Sequence, residues 1–124
     1  MSIFDGLMGN ASEIPIKKIY SEFSQVLIEG EELHKAYKII RDVFVFTNKR
    51  LILVNKQGIT GKKREYLTIP YHSIIKFSKE SAGLLDFDAE LKIWIRGQAE
   101  PIAKDFKEDN NINEIYKLLS QYTL

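Results

Sequence analysis

The sequence predicts a mainly β fold with a helix at each end: seven short strands arranged as a sandwich or partly open barrel. Three observations carry this. Apolar residues recur at intervals of two between Leu33 and Phe106, and turn residues interrupt them every several positions. Spacing of three and four appears only before Gly30 and after Asn110, which places helices at the two ends. Between these, Asp42 to Val54 reads as two strands folded about Thr47-Asn48-Lys49-Arg50.

The N-terminal segment 1–29 reads as helical. Ser12 is a suitable N-cap, and Pro15 is tolerated in the first turn, where its missing N–H matters least. Ile16, Ile19, Tyr20, Phe23, Val26 and Leu27 follow at helical spacing, with Gly30 as the stop. Before them, Ile3, Phe4, Leu7 and Met8 suggest a further helical turn.

The barrel spans 31–107. Its first strand alternates Leu33, Lys35, Tyr37 and Ile39 against His34, Ala36, Lys38 and Ile40. In the hairpin, Asn48 tolerates the left-handed backbone of a tight turn, and the flanks are β-branched and aromatic. With Asn48 and Lys49 as the loop, Phe46 faces Leu51 and Phe44 faces Leu53 on one side. Val45 then faces Ile52 and Val43 faces Val54 on the other. Both faces are apolar, which a sheet covering a single core does not require. Gln57-Gly58 ends the third strand, and Gly58 to Arg64 reads as a loop. Tyr66 to Ile69 is a short strand halted by Pro70. Ile74 to Lys79 is the next, broken at Ser81 to Gly83. In the sixth strand Phe87, Ala89, Leu91, Ile93 and Ile95 share one face, and Asp86, Asp88, Glu90, Lys92, Trp94 and Arg96 the other. Gly97-Gln98 turns the chain into a seventh strand from Pro101 to Phe106. The last helix covers 110–122, with Glu114 placed as a capping-box acid and a stripe of Ile112, Ile115, Tyr116, Leu119 and Tyr122.

Composition bounds the function. The 124 residues fit one domain with a single core. Eighteen basic and 17 acidic residues leave a formal net charge of +1, which argues against a nucleic-acid binder. The chain has no cysteine, so disulfides, thiolate catalysis and cysteine-held metals are excluded. No apolar run reaches the length of a membrane span, and the N-terminus lacks the pattern of a signal peptide. A cytoplasmic location is expected.

Taken together, Ala36-Tyr37-Lys38-Ile39-Ile40-Arg41-Asp42-Val43-Phe44-Val45-Phe46-Thr47-Asn48-Lys49-Arg50-Leu51-Ile52-Leu53, then Gln57-Gly58, Gly61-Lys62-Lys63, Ile69-Pro70-Tyr71 and Asp88 to Ile95, resemble the stand-alone bacterial pleckstrin-homology (PH) domains. The resemblance covers nearly the whole chain. It implies two nearly orthogonal antiparallel sheets of four and three strands, capped by the C-terminal helix. It also implies homo-oligomers, ring-shaped and pentameric. PH domains that bind phosphoinositides use basic residues along a long loop between the first two strands. Here that connection is little more than Arg41-Asp42, so the resemblance does not extend to a headgroup site.

Catalytic patterns are weak. His34 and His72 stand apart, and no His-Glu-x-x-His or Gly-x-Ser-x-Gly occurs. Asp86, Asp88 and Glu90 fail the EF-hand spacing and read as a solvated strand face. Gly58 to Lys63 is too short for a phosphate loop. The expected function is a non-catalytic interaction module, without cofactor or metal, that assembles with itself. Candidate contact residues are Val43, Val45, Ile52, Val54 and Trp94. The β-branched hairpin face has two possible covers, the N-terminal helix of the same chain or a second subunit. Trp94 faces outward by periodicity unless a bulge turns it in. The alternative is a peripheral binder of anionic headgroups or phosphorylated ligands, carried by Lys49, Arg50, Lys62, Lys63 and Arg64 if their loops meet.

Overall fold

The computed structural model describes residues 12–39, 42–57, 63–80, 88–107 and 111–124. In chain order they form β1 (Ser12–Glu13), α1 (Ile16–Phe23), β2 (Leu33–Ile39), β3 (Asp42–Thr47), β4 (Arg50–Gln57) and β5 (Lys63–Pro70). A 3-10 turn (Tyr71–Ser73) leads to β6 (Ile74–Glu80), β7 (Asp88–Ile95), β8 (Ile102–Lys107) and α2 (Asn111–Thr123). Strands β1-β2-β3-β4-β5 make one antiparallel sheet and β6-β7-β8 the other. No ladder joins the sheets among the described residues, so the barrel stays open. The predicted seven strands are present, and β1 is an addition of two residues.

The hairpin has the predicted register: Val43 opposes Val54, Phe44 opposes Leu53, Val45 opposes Ile52 and Phe46 opposes Leu51. A two-residue loop leaves no other pairing that keeps each face continuous. One face supplies Phe44, Phe46, Leu51 and Leu53 to the core between the sheets. Leu91, Ile93 and Phe106 of the second sheet and Ile112, Ile115 and Leu119 of α2 close that core. The predicted stripe of α2 is therefore its buried face, with Tyr116 and Tyr122 packed at the margin. Asp42 and Lys104 form an ion pair that ties the start of β3 to β8 across the gap between sheets.

The start of the chain differs from expectation. Ser12 is not a helix cap: it pairs with Lys38 in β1, and Glu13 pairs with Tyr37. The Ile14 N–H donates to the Ala36 carbonyl at 2.8 Å, which holds the backbone extended. Pro15 then stands at the cap position with no side-chain cap bond, and α1 begins at Ile16. The helix stops at Phe23, well before Gly30. A longer helix would pair the Val26 carbonyl with the Gly30 N–H. Instead that carbonyl accepts from Arg50 Nη2 at 2.7 Å, and the Ile28 N–H goes to Glu31 Oε1 at 3.1 Å. Tyr20, expected on the apolar stripe, lies within α1 but on its outer side and is 58% exposed, while Ile19 and Phe23 are buried.

Glu31 is the centre of these contacts. Its carboxylate accepts from Arg50 Nε at 2.8 Å, Arg50 Nη2 at 2.9 Å and the Thr47 hydroxyl at 2.7 Å. The Thr47 hydroxyl in turn accepts the Lys49 and Arg50 N–H groups, each at 3.0 Å, and so shapes the hairpin turn. Asn48 reaches back from the turn tip, accepting the Glu32 N–H at 2.7 Å and donating to the Gly30 carbonyl at 3.0 Å. Gly30 sits at φ +82°, a left-handed conformation that suits glycine. Burial pushes the Glu31 pKa up, but bonds from Arg50, Thr47 and Ile28, with the Arg50 charge, outweigh it and hold the pKa at about 2.

Two consequences are measurable. The folded pKa of Glu31 lies below its ordinary value of 4.5, so its contribution is complete above that pH and is lost as pH falls toward about 2. That difference corresponds to about 3 kcal/mol. We predict that denaturant stability falls across this acid window, and that Glu31→Gln lowers stability at pH 7 by about 3 kcal/mol and flattens the acid limb. An unchanged acid limb in the variant would remove Glu31 from this role. Phe23, fully buried at the end of α1 against the hairpin face, should cost about 3 kcal/mol when changed to Ala. Loss of the partly exposed Arg64–Glu22 pair through Arg64→Gln should cost under about 1 kcal/mol.

Candidate functional site

The second face of the hairpin is covered from within the chain. Val43, Val45, Ile52 and Val54 are at most 2% exposed. Ile14, Ile19 and Phe23 lie on them, with Ile16, Val26, Leu27 and Leu33 packed around. Phe23 meets Tyr66 of β5 edge-on at 5.9 Å, and Glu22 pairs with Arg64 at 3.1 Å. These four residues, expected as candidates for a subunit contact, therefore offer no surface. The apolar stripe of the N-terminal segment is long enough to bury them, and it does.

The predicted anion patch is divided. Lys49 and Arg50 stand at one end of the β4–β5 hairpin, because Arg50 opposes Pro70. Lys63 and Arg64 stand at the other, because Gln57 opposes Lys63. At about 3.3 Å per residue the two pairs are roughly 20 Å apart. Arg50 is engaged by Glu31, Val26 and Thr68, and Arg64 by Glu22. Both arginines fasten the N-terminal segment to the sheet. Lys49 and Lys63 are exposed. Lys62, and Gly58 and Gly61 beside it, lie outside the described residues.

The outer face of the second sheet holds the remaining candidate. In β7, Ala89, Leu91, Ile93 and Ile95 turn to the core, and Glu90, Lys92 and Trp94 turn away from it. Trp94 is half-buried and faces outward, as its period predicts. Lys76, directly opposite on β6, lies with Nζ 4.8 Å from the ring centroid, a cation–π contact. Lys92 pairs with Glu90 at 3.5 Å on the same face. A register shift between Ile74 and Lys76 inserts one extra residue in β6. Ile74 is buried, and Ile75 is 58% exposed. Strand period alone assigns no face to Ile75. Its signal is the Ile74-Ile75 pair, since two consecutive strand residues cannot both reach one core.

The groups with chemical potential elsewhere serve packing. Tyr122 stacks on Tyr71 at 4.6 Å and on Phe46 at 6.1 Å. His34 stacks on Tyr122 at 5.8 Å and shares a hydrogen bond through Nδ1 with the Tyr122 hydroxyl. Tyr71 donates to the Thr47 carbonyl at 2.6 Å. Burial pushes the pKa of both tyrosines up, so they stay neutral. Lys35 bridges Glu13 at 2.9 Å and Glu114 at 3.8 Å, which joins β1, β2 and α2. The bond from Lys35 to Glu13 raises the lysine pKa. Among the described residues no group of three His, Asp or Glu side chains is placed to hold a metal ion, and no helix is long and apolar enough to cross a membrane. Asp86 lies outside the described residues, and the side chain of Asp88 is likewise not described.

Comparison with known proteins supports the architecture. The family model for the bacterial PH domain matches residues 2–123. The uncharacterized protein YjqA of Bacillus subtilis is 52% identical over 121 residues, 97% of each chain. The crystal structure of a DUF1696-family protein with a pleckstrin-homology domain from Shewanella loihica superposes with a TM-score of 0.83. It is 46% identical and covers 94% of this chain and 99% of its own. A pleckstrin-homology domain from Shewanella amazonensis gives a TM-score of 0.82 at 50% identity, over 88% of this chain and 98% of its own. With the open pair of sheets, the capping helix α2 and the hairpin register already in place, these matches establish that the chain belongs to the bacterial PH domain family.

Proposed function

We propose that this chain is a non-catalytic, cytoplasmic interaction module that assembles with copies of itself into a closed ring through the outer face of the β6–β7–β8 sheet. The observation that carries this reading is the outward Trp94, paired with Lys76 on β6, together with the exposed Ile75 that precedes Lys76 at the bulge. Aromatic residues are enriched where interfaces concentrate their energy. A bulge that exposes a β-branched residue next to the tryptophan's strand partner adds apolar surface to an otherwise polar sheet face. The β-branched hairpin face of the first sheet lies under the N-terminal segment. A head-to-tail contact must close to avoid filaments, which favours a ring. The headgroup-binding alternative draws less support, because Arg50 and Arg64, two of its five basic residues, are engaged by glutamates within the fold.

Light scattering after size exclusion tests the reading. The expected mass is a multiple of 14.4 kDa. A monodisperse monomer at micromolar concentration would overturn it. We predict that Trp94→Lys remains folded, judged by circular dichroism, and shifts the assembly toward monomer by at least about tenfold in concentration, the effect of losing about 1.4 kcal/mol at a contact.

A further inference from the structure

The reading above leaves open what on a neighbouring copy meets the Trp94 face. The described residues expose few large apolar side chains: Tyr20, Ile28, Tyr66, Leu67, Ile75 and Leu124. Two of them sit among charges of opposite sign. Ile75, 58% exposed, precedes the exposed cation Lys76 in β6, and the exposed Arg96 follows β7 two residues after Trp94, with Nη2 donating to the His72 carbonyl at 3.3 Å. Ile28, 60% exposed, is followed by the exposed acids Glu29 and Glu32. The acidic site is firmly held. The Glu32 N–H and the Gly30 carbonyl are bound by Asn48, and the Ile28 N–H is bound by Glu31. Its side chains are thus presented on an ordered turn, which lowers the entropy lost on docking. The basic site is equally anchored. The Arg96 N–H donates to the Ser73 carbonyl at 2.8 Å, and Lys76 lies over Trp94.

We infer that the Ile28–Glu32 turn of one copy docks on the Ile75, Lys76, Trp94 and Arg96 face of the next. The proposal rests on the self-assembly reading and names both halves of its contact. Ile28 meets the Ile75–Trp94 centre, and Glu29 and Glu32 meet Lys76 and Arg96 around it. An apolar anchor ringed by complementary charges provides both attraction and register. The two patches differ, so the contact is head-to-tail and each copy uses both.

Charge reversal tests this on the full chain. The Glu29→Lys/Glu32→Lys variant and the Lys76→Glu/Arg96→Glu variant each place like charges across every junction. Each is expected to fall to 14.4 kDa by light scattering while circular dichroism stays that of the wild type. The chain carrying all four reversals has complementary junctions again and is expected to regain the wild-type mass. One-sided variants that keep the wild-type mass, or a folded four-reversal chain that stays monomeric, would overturn the named contact while self-assembly stands. A monomeric wild type would overturn both.

Discussion

Arg50 and Glu31 meet where the hairpin turn, the N-terminal segment and the edge of the first sheet converge, and the remainder of the N-terminal half is built around that contact. The Glu31 side chain is fully buried. A carboxylate in that position survives only if its oxygens are satisfied, and Arg50 with Thr47 satisfies them. The same guanidinium takes the Val26 carbonyl, so the helix ends early and the chain bends back over the sheet. Thr47 links this cluster to the hairpin backbone, and Tyr71 links Thr47 to the corner leading into the second sheet. One buried charge pair thereby sets where α1 lies, how the hairpin turns and where the two sheets join.

This arrangement resolves the problem posed by a hairpin that is apolar on both faces. An uncovered β-branched sheet face invites unplanned association. The chain covers one face with the core between the sheets and the other with its own first 20 or so described residues. Each buried Val or Ile contributes about 1.5–3 kcal/mol. The helix that delivers this cover is only eight residues long and has no side-chain cap, so it owes its stability to the surface beneath it. The second sheet is built differently. It has one apolar face and one mixed polar face, which carries the outward Trp94 opposite Lys76.

The basic residues show how charge is redirected by context. Arg50 and Arg64 lie in runs that read as solvated or ligand-binding in one dimension. In three dimensions both reach glutamates of the N-terminal segment, Glu31 and Glu22. The likeness to PH domains therefore extends to the sheets and the capping helix, and a clustered basic site is not found among the described residues. Fold and ligand are separate properties, and a shared architecture does not carry a shared binding site.

Much of the architecture was written in local pattern. The hairpin register, the turn at Asn48-Lys49, the stop at Pro70, the left-handed Gly97, the stripe of α2 and the outward direction of Trp94 all follow from period and turn chemistry. These are short-range matters, settled by steric limits on the backbone and by which side of a strand or helix is apolar. Other features depended on residues far apart in sequence. Glu31 and Arg50 are 19 positions apart, and nothing in either neighbourhood announces their pairing. The early end of α1 follows from that pairing, and the strand role of Ser12 from its ladder with Lys38, 26 positions on. Ile75 was half legible: the doubled isoleucine demanded that one face out, and the bulge decided which. The sequence by itself determined which faces must be buried. Only the tertiary structure decided what buries them, because coverage is a competition among all apolar surfaces of the chain, and its outcome depends on where charged partners allow each segment to lie.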